Sequence, residues 1–229
     1  MRILAIFLLF LSPALALAQW SNSGSRAQTW EISIGAIYQD SLSVGGTATD
    51  SGASVPNSSS LSVKDDWGFT FNATYNFNDH MALGVDFDYL RPRYDVNLVP
   101  DDPNESSIRI NHTASQFNGR IKGTYNLFKS SFTPFVDLGV GWSNFDSNVT
   151  SGPPITGCWW HPWWGYVCSN YYDTFSSTKF SYGAGIGARY ELLGDGIIKV
   201  AYNYWELDSG GQSSDFTLEG LRIEFAWRF

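Results

Sequence analysis

Charged residues are scarce in this chain of 229 residues, and it has no long apolar run. Charged side chains make up 16% of the sequence, against about 25% in typical soluble proteins, whereas aromatic side chains make up 17%. The longest uninterrupted apolar run, Ile3 to Leu11, is far shorter than the roughly 18 to 20 residues that a spanning helix needs. The composition therefore argues against a disordered chain, an ordinary soluble enzyme and a helical membrane protein.

The N-terminus has the pattern of an export signal. Arg2 supplies a positive start, Ile3 to Leu11 an apolar stretch, and Ala16 to Ala18 the small residues of a signal-peptidase site. We expect residues 1–18 to be removed and residues 19–229 to form a single domain. The formal net charge of −8 becomes more negative by one when Arg2 is lost. An acidic protein disfavours nucleic acid as a partner, because phosphate binding relies on Lys and Arg.

Histidine and cysteine are also rare, with three and two residues. Cys158 and Cys168 lie in the segment CWWHPWWGYVC, and in an exported protein such a pair predicts one local disulfide that closes a loop. A metal site that includes His161 is the alternative. It lacks a fourth ligand, because nothing in the sequence places His80 or His112 nearby. We therefore expect neither a metal nor another cofactor.

The chain repeats stretches in which apolar residues alternate with small or polar ones. A two-residue period is typical of strands with one buried face. Eight such strands are predicted, and a slip of phase between Thr113 and Gln116 in the fourth indicates a bulge. The apolar faces of the eight strands begin, in order, at Trp30, Trp67, Met81, Phe117, Val136, Phe180, Ile198 and Leu221.

The connections between the predicted strands differ in length in a regular way. Three short connections, at 78–80, 129–131 and 192–196, alternate with longer ones. Short turns at one end and long loops at the other, on an even number of strands, are typical of an antiparallel transmembrane β-barrel with periplasmic turns and extracellular loops. The long connections are rich in Ser, Gly, Asn and Asp, which predicts flexible loops rather than further domains.

Alternation alone does not say which face of the barrel points outward. A soluble barrel around a ligand cavity is the alternative to a membrane barrel. The polar face is largely Gly, Thr and Asn with scattered charges, which suits a crowded narrow lumen better than a surface in water. Aromatic rings also cluster toward strand ends, as in the two girdles at headgroup level. We therefore expect the apolar face to meet lipid and the sheet to close, because an open edge is not satisfied in hydrocarbon.

Three segments of the predicted strands carry a resemblance to a known family: YNFNDHMALGV from Tyr75, TPFVDLGVGW from Thr133 and GAGIGARY from Gly183. The sequence resembles the eight-stranded outer-membrane barrels of the OmpA and OmpW type over nearly the whole mature chain. The last residues, Phe225, Trp227 and Phe229, resemble the terminal signal that the barrel-assembly machinery reads. The resemblance implies a bacterial outer-membrane location with periplasmic termini. It also implies outer-membrane lipid, lipopolysaccharide and the assembly machinery as partners.

The inward phase of the predicted strands carries equal numbers of acids and bases. Eight strands leave an interior just wide enough for side chains to fill, and charges there are tolerated when they are paired. We predict a salt-bridged plug, because an ion-selective channel would carry an excess of one sign. The predicted network consists of Glu31, Asp86, Asp88, Asp137, Glu191, Glu224, Arg120, Lys122, Arg189, Lys199, Arg222 and Arg228.

Two other functions remain open. The OmpW resemblance implies a narrow channel for small hydrophobic solutes, with Phe135 and Phe145 as candidate lining. A lipid A-modifying enzyme would need a base beside a nucleophile, and His112 with Ser115 is the one such pair at a plausible depth. A polar strand end is the commoner role for these two residues, so we expect the protein not to be an enzyme.

Acidic residues in the long connections raise the question of cation binding. Asp101, Asp102 and Glu105 lie close together in the sequence and could hold a divalent cation. A solvated acidic loop is the commoner case, so no metal site is assigned to them.

The loop between Cys158 and Cys168 is the most distinctive feature of the sequence. The rings could pack on one another or on lipid headgroups. Alternatively, they form an aromatic patch that binds a host surface, a glycan or another protein. We therefore predict a non-enzymatic outer-membrane barrel with a structural or surface-interaction role. The candidate binding residues are Trp159, Trp160, Trp163, Trp164 and Tyr166.

Overall fold

A computed structural model of the protein describes residues 25–46, 58–99, 108–150, 153, 155–163, 165–171, 173–192, 194–208 and 216–229. The expected export signal, residues 1–18, lies outside these residues. Within the described ranges, no helix combines the length and the apolarity that crossing a membrane requires.

Fourteen strands account for nearly all of the described chain. They are β1 (Thr29–Gln39), β2 (Leu42–Gly46), β3 (Ser58–Val63), β4 (Asp66–Asn76), β5 (Met81–Leu90), β6 (Arg93–Val99), β7 (Ile108–Thr113), β8 (Ser115–Asn126), β9 (Phe132–Thr150), β10 (Ile155–His161), β11 (Gly165–Tyr171), β12 (Thr174–Glu191), β13 (Gly196–Leu207) and β14 (Phe216–Arg228).

Eight of these strands form a closed antiparallel barrel, which confirms the predicted fold class. The order around the barrel is β1, β14, β13, β12, β9, β8, β5 and β4. The first strand closes the barrel because it pairs with β14 on one side and β4 on the other. Closure leaves no open edge, so the backbone donors and acceptors of the barrel strands are paired between neighbours.

The predicted alternation is visible in the burial of the barrel strands. Along β5, the inward Asp86 and Asp88 are buried, whereas the outward Leu83 and Val85 are exposed. The same two-residue period holds along β13, where Asn203 and the residues in phase with it face inward. The outward face is therefore apolar and the inward face is mostly polar, as the sequence predicts.

The two ends of the barrel differ as expected. Residues 77–80, 127–131 and 192–195 form short connections at one end. The start of β1 and the C-terminus lie at the same end, because Trp30 and Phe229 exchange backbone hydrogen bonds of 2.8 and 3.2 Å. The connections at the other end are longer and contain the remaining six strands.

The prediction that the long connections are flexible loops was wrong in the described residues. Strands β2, β3, β6 and β7 form a four-stranded sheet, and β10 pairs with β11 in a hairpin. Ser-rich segments such as SSSLSV in β3 have the composition of a loop, so the sequence did not indicate that they form strands. The hydroxyl of Tyr94 in β6 donates to the carbonyl of Ser147 (3.0 Å) and so ties the small sheet to β9.

The predicted bulge near Thr113 is instead a change of sheet. Strand β7 ends at Thr113 and β8 begins at Ser115, while the N–H of Ala114 donates to the carbonyl of Pro92 (2.8 Å). The phase slips because the chain passes from the four-stranded sheet into the barrel at this residue. An irregularity of register does occur elsewhere in the barrel, between Thr174 and Ser176.

Candidate functional site

A cluster of charged side chains spans the middle of the lumen. The guanidinium Nη2 of Arg222, on β14, lies 2.9 Å from Asp86 Oδ2 and 3.1 Å from Asp88 Oδ2 on β5. Arg120, on β8, forms an ion pair with Asp88 and lies 3.5 Å from Asp86 Oδ2. All four side chains are at most 2% exposed. Because β14 and β5 are three strands apart around the barrel, these contacts cross the lumen.

Two further predicted acids lie around this cluster. Lys122 Nζ lies 3.6 Å from Asp86 Oδ1 and 3.7 Å from Asp137 Oδ2, so it bridges β5 and β9. Glu224 is buried and accepts a hydrogen bond from the hydroxyl of Ser33 at 3.3 Å. The contacts of this central network therefore involve five of the eight barrel strands, namely β1, β5, β8, β9 and β14.

A second cluster lies toward the end with the short turns. Glu31 Oε1 accepts from Arg189 Nη2 at 2.7 Å, and Glu31 Oε2 lies 2.7 Å from Lys199 Nζ. Glu191 Oε1 lies 2.7 Å from Arg228 Nη2 and 3.3 Å from Arg189 Nη2. Ion pairs in a narrow interior are tolerated when the partners also share hydrogen bonds, and each carboxylate here has at least two cationic neighbours.

Arg26 also belongs to this second cluster, although the sequence pattern does not identify it. Its side chain is 1% exposed and forms an ion pair with Glu191. Its Nη1 donates to the carbonyls of Asp79 (3.1 Å) and Phe128 (2.9 Å), and its Nη2 donates to the carbonyl of Ser130 (2.5 Å). One guanidinium thus ties the segment before β1 to two of the three short turns.

Arg26 lies outside the strands to which the predicted equality of inward acids and bases applies. Arg26 adds a seventh base to six bases and six acids. It precedes the first strand, so strand periodicity does not assign it to a face. The available signal was a lone cation in the short segment just before β1.

Asp79 anchors the same N-terminal segment from the first short turn. Its Oδ1 accepts from the N–H of Arg26 (2.8 Å) and from the hydroxyl of Ser25 (2.9 Å), and Lys129 Nζ lies 3.3 Å from its Oδ2. These hydrogen bonds, first that from the Arg26 backbone, lower the pKa of Asp79 to about 2. The carboxylate is therefore held in its ionised form. We use the term N-terminal clasp for the contacts of Asp79 and Arg26 that hold the segment before β1 against the short turns.

An apolar layer fills the lumen near the end with the long connections. Trp205, Leu207 and Leu218 are buried there, and the half-buried Phe145 and Phe216 pack against them. Phe135, the other predicted lining residue, is 5% exposed and lies on the same strand as Phe145 but ten residues away. The charged side chain of Asp137 lies between the two positions, so the two rings do not form a continuous apolar path.

The indole of Trp205 fits into the lumen because two inward positions carry no side chain. A Cβ on Gly183 would lie 2.8 Å from Trp205 Cε3 and 2.2 Å from the carbonyl oxygen of Tyr204, and a Cβ on Gly139 would lie 2.9 Å from Trp205 Cη2. The Arg120 guanidinium lies 4.3 Å from the centre of the indole, a cation–π geometry. The apolar layer and the central ion cluster are therefore in direct contact.

The predicted disulfide is present and lies within the β10–β11 hairpin. Cys158 and Cys168 are bonded and face each other in register, and Trp160 faces Tyr166 two pairs further toward the turn. Trp160, Trp163 and Tyr166 are 71%, 83% and 70% exposed. These rings form no buried mini-core.

Two of the predicted aromatic residues cannot be placed in this surface. Trp164 and the side chain of Trp159 lie outside the described residues. Trp159 itself contributes its backbone to β10, paired with Val167. We use the term aromatic hairpin for β10 and β11 with the described rings Trp160, Trp163 and Tyr166.

Rings also mark two levels on the outside of the barrel. Trp30 packs on Tyr75 at the end with the short turns (5.1 Å between ring centres), and Tyr38 packs on Trp67 at the opposite end (5.3 Å). Aromatic rings at both ends of an apolar outer face are the arrangement of the two girdles of a membrane barrel.

The three residues of the expected assembly signal lie on the outward side at the C-terminus. Phe225 and Trp227 pack edge to face at 4.5 Å, and Phe229 is 72% exposed. All three side chains therefore lie on the surface that faces lipid, at the end of the barrel with the short turns.

The structure does not bring the residues considered for catalysis together in a hydrogen bond. His112 is exposed outside the barrel, and its Nδ1 lies 3.2 Å from the carbonyl of Thr113. Ser115 Oγ instead accepts from Asn148 Nδ2 at 3.2 Å.

The acids considered for cation binding, Asp101, Asp102 and Glu105, lie outside the described residues. In the part of the chain that the structure describes, no three His, Cys, Asp or Glu side chains are grouped to hold a metal ion.

Comparison with known proteins gives a consistent result. The family model described as "Outer membrane protein beta-barrel domain" matches residues 3–229. Among solved structures, the outer membrane protein OprG from Pseudomonas aeruginosa is 16% identical with a TM-score of 0.55, over 89% of this chain and 96% of that chain. Neisserial surface protein A is 10% identical with a TM-score of 0.52, over 90% and 100%. Ail from Yersinia pestis is 16% identical with a TM-score of 0.49, over 89% and 99%. No curated protein sequence matches the chain.

Proposed function

Because the chain belongs to the outer-membrane β-barrel domain family and is a protein of the bacterial outer membrane, we propose that it is a closed barrel that presents the aromatic hairpin for recognition at the cell surface. The short turns and the termini then face the periplasm, and the four-stranded sheet and the aromatic hairpin face the exterior.

The exposure of the aromatic hairpin carries this proposal. Trp160, Trp163 and Tyr166 are all at least 70% exposed, although burying such rings is strongly favourable. Trp and Tyr are the residues that most often dominate binding energy at interfaces. The disulfide between Cys158 and Cys168 limits the conformations of the hairpin, so less entropy is lost when a ligand binds.

The closed lumen supports a role that does not depend on transport. The central ion cluster, the second cluster with Arg26 and the apolar layer each fill the interior at a different level. A barrel of eight strands has little room beyond its own side chains. Its function is then exerted from the extracellular surface.

Loss of two rings tests the proposal. Vesicles containing the Trp160→Ala/Trp163→Ala variant should bind a monolayer of epithelial cells at least about tenfold more weakly than wild-type vesicles, since each hot-spot ring contributes 2 kcal/mol or more. Phe175→Ala is the matched control, because Phe175 is an exposed ring (61%) on the extracellular part of β12. Unchanged heat-modifiable gel mobility would show that the barrel remains folded. Equal binding by wild type and the double variant would rule out the aromatic hairpin as the binding surface.

A second candidate function, passage of small apolar solutes, is favoured by one feature of the outer face. An open apolar groove of about 620 Å³ is lined by Leu138, Tyr182 and Tyr204 among others, and by the backbone at Gly139 and Gly183. The inward positions of the same two glycines carry no side chain and lie next to the indole of Trp205, so no side chain of a described residue separates that indole from the strand backbone there. This candidate predicts uptake of an apolar dye by cells that express the protein.

A further inference from the structure

A pocket of about 460 Å³ lies on the extracellular side, where the four-stranded sheet leaves the barrel. The links from β3 to β4, from β5 to β6 and from β7 to β8 meet at this point. The side chains and backbone that line the pocket belong to Lys64, Asp65, Asp66, Arg91, Arg93 and Thr113.

The backbone around this rim pocket is held in place by hydrogen bonds between the links. The N–H of Lys64 donates to the carbonyl of Arg93 (2.8 Å), and the N–H of Arg91 donates to Asp66 Oδ2 (2.9 Å). Arg93 is also paired in register with Thr113. The positions of the cationic residues around the pocket are therefore set before any ligand binds.

The acids of the rim pocket already have partners, whereas two of its bases have none. Asp66 accepts from the backbone of Arg91, and Asp65 Oδ2 accepts from the hydroxyl of Tyr38 at 3.1 Å. Among the described residues, Arg91 and Arg93 have no ion-pair partner, and both are exposed. Two arginines without an ion-pair partner in the described chain thus line one pocket in a protein with 14 basic and 22 acidic residues.

Lys64 completes the basic side of the pocket. Its Nζ lies 3.2 Å from Asp95 Oδ2, and its side chain is 51% exposed. Because this pair is on the surface, it is weak and can be exchanged for another anion.

The rim pocket lies at the level of lipid headgroups. Tyr89 precedes Arg91 by two residues, Trp67 follows Asp65 by two, and both rings are exposed on the lipid face. Trp67 packs on Tyr38 in the outer girdle, and girdle rings sit at the boundary between acyl chains and headgroups. At about 3.3 Å per residue, the two arginines lie within roughly 7–14 Å of that boundary.

We propose that the rim pocket binds a phosphate group of an outer-leaflet glycolipid through Arg91 and Arg93, with Lys64 as a third cation. Guanidinium groups bind phosphate oxygens through paired, charge-assisted hydrogen bonds. The outer leaflet brings phosphorylated headgroups to this depth. The site is separate from the aromatic hairpin and does not depend on the function proposed for it.

Binding of lipid A to the protein in phosphatidylcholine nanodiscs tests the proposal. Wild-type protein should bind diphosphorylated lipid A and should bind enzymatically dephosphorylated lipid A at least about tenfold more weakly, since the charge-assisted hydrogen bonds to phosphate would be lost. The Arg91→Gln/Arg93→Gln variant should lose the same factor for the phosphorylated lipid. Lipid retained on the protein, measured by native mass spectrometry, gives the affinities.

Arg109→Gln is the matched control, because Arg109 is an exposed arginine of β7 that pairs with Asp95 and does not line the pocket. It should bind lipid A as wild type does. Inorganic phosphate serves as a competitor: displacement only at a large excess supports a headgroup site, whereas displacement at equal concentration would support the same phosphate site but assign it to free phosphate. Equal binding of phosphorylated and dephosphorylated lipid, equal losses in R109Q and R91Q/R93Q, or selective binding of a sulfated polysaccharide would overturn the proposal.

Discussion

Arg222 shows how a single residue connects opposite walls of the barrel. Its guanidinium, 1% exposed, contacts Asp86 and Asp88 from three strands away. Removing one member of a buried ion pair leaves a charge without compensation, which costs more than the pair contributed. The contribution of the central ion cluster to the free energy of unfolding should therefore be measurable by substitution of Arg222.

Arg222→Met should lower the free energy of unfolding by about 3–5 kcal/mol, because Asp86 and Asp88 would retain only the cations on β8. Urea unfolding in phosphatidylcholine vesicles, followed by tryptophan fluorescence, measures this. Arg109→Met removes an exposed pair with Asp95 (3.6 Å) and should cost less than about 1 kcal/mol. Similar losses in the two variants would show that the central cluster does not stabilise the barrel.

At the scale of elements, the barrel strands were predictable because their alternation is local. In β5, the order of outward Leu83 and Val85 with inward Asp86 and Asp88 is readable from the sequence alone. Strands β3 and β6 were not predictable in this way, since they are short and rich in polar residues and pair only with each other and with β2 and β7. Their pairing depends on contacts that no local period shows.

The residues of the candidate sites likewise fall into two groups, those that the local alternation predicts and those that it does not. Inward charges such as Glu31 and Arg189 follow from the period of their strands, so their placement could be predicted. Arg26 lies outside any strand, and Arg91 and Arg93 acquire a shared pocket only when links distant in the sequence meet. These groupings arise from tertiary structure, which periodicity does not contain.

The described segment before β1, residues 25–28, has no regular secondary structure, but contacts of Asp79 and Arg26 hold it against the short turns. The pKa of Asp79 is lowered to about 2, so its ionised form is bound more tightly in the folded state than in the unfolded one. The stabilising contribution is complete above the ordinary pKa of about 3.9. It is lost as the pH falls toward 2.

Asp79→Asn should therefore reduce stability at pH 7 and have little effect near pH 2. The quantity to compare is the difference in urea midpoint between wild type and variant at each pH, because other carboxylates titrate equally in both proteins. Asp195→Asn, in another short turn, controls for the loss of one carboxylate at the same end of the barrel. If the difference in urea midpoint between wild type and variant stays constant from pH 7 to pH 2, the ionised Asp79 carboxylate does not stabilise the folded state through the N-terminal clasp.

On the scale of the whole molecule, the amino-acid composition reflects that the outer face of the barrel meets lipid, whereas its two ends meet water. Aromatic residues exceed charged ones because many rings lie on the lipid face, where Trp30, Trp67 and Tyr125 are all more than half exposed. Many of the charges are inside, in the ion clusters. The exposed rings that lipid does not explain include those of the aromatic hairpin, and the exposed cations without an ion-pair partner in the described part of the chain include Arg91 and Arg93 of the rim pocket.

The proposed plug, made of the central ion cluster, the second cluster with Arg26 and the apolar layer, predicts that the protein does not conduct ions. In planar bilayers, wild type should show no steps above the bare-membrane baseline. Trp205→Ala and Arg26→Ala should behave likewise, since each removes one side chain from one cluster and leaves the other two clusters intact. Heat-modifiable mobility and incorporation, checked by protease cleavage of exposed loops, control for folding. Uptake of an apolar dye by expressing cells should equal that of cells without the protein. Steady conductance in wild type, or dye uptake that rises in Trp205→Ala, would instead support the solute channel, because Gly139 and Gly183, which line the outer groove, leave room for that indole on the inside.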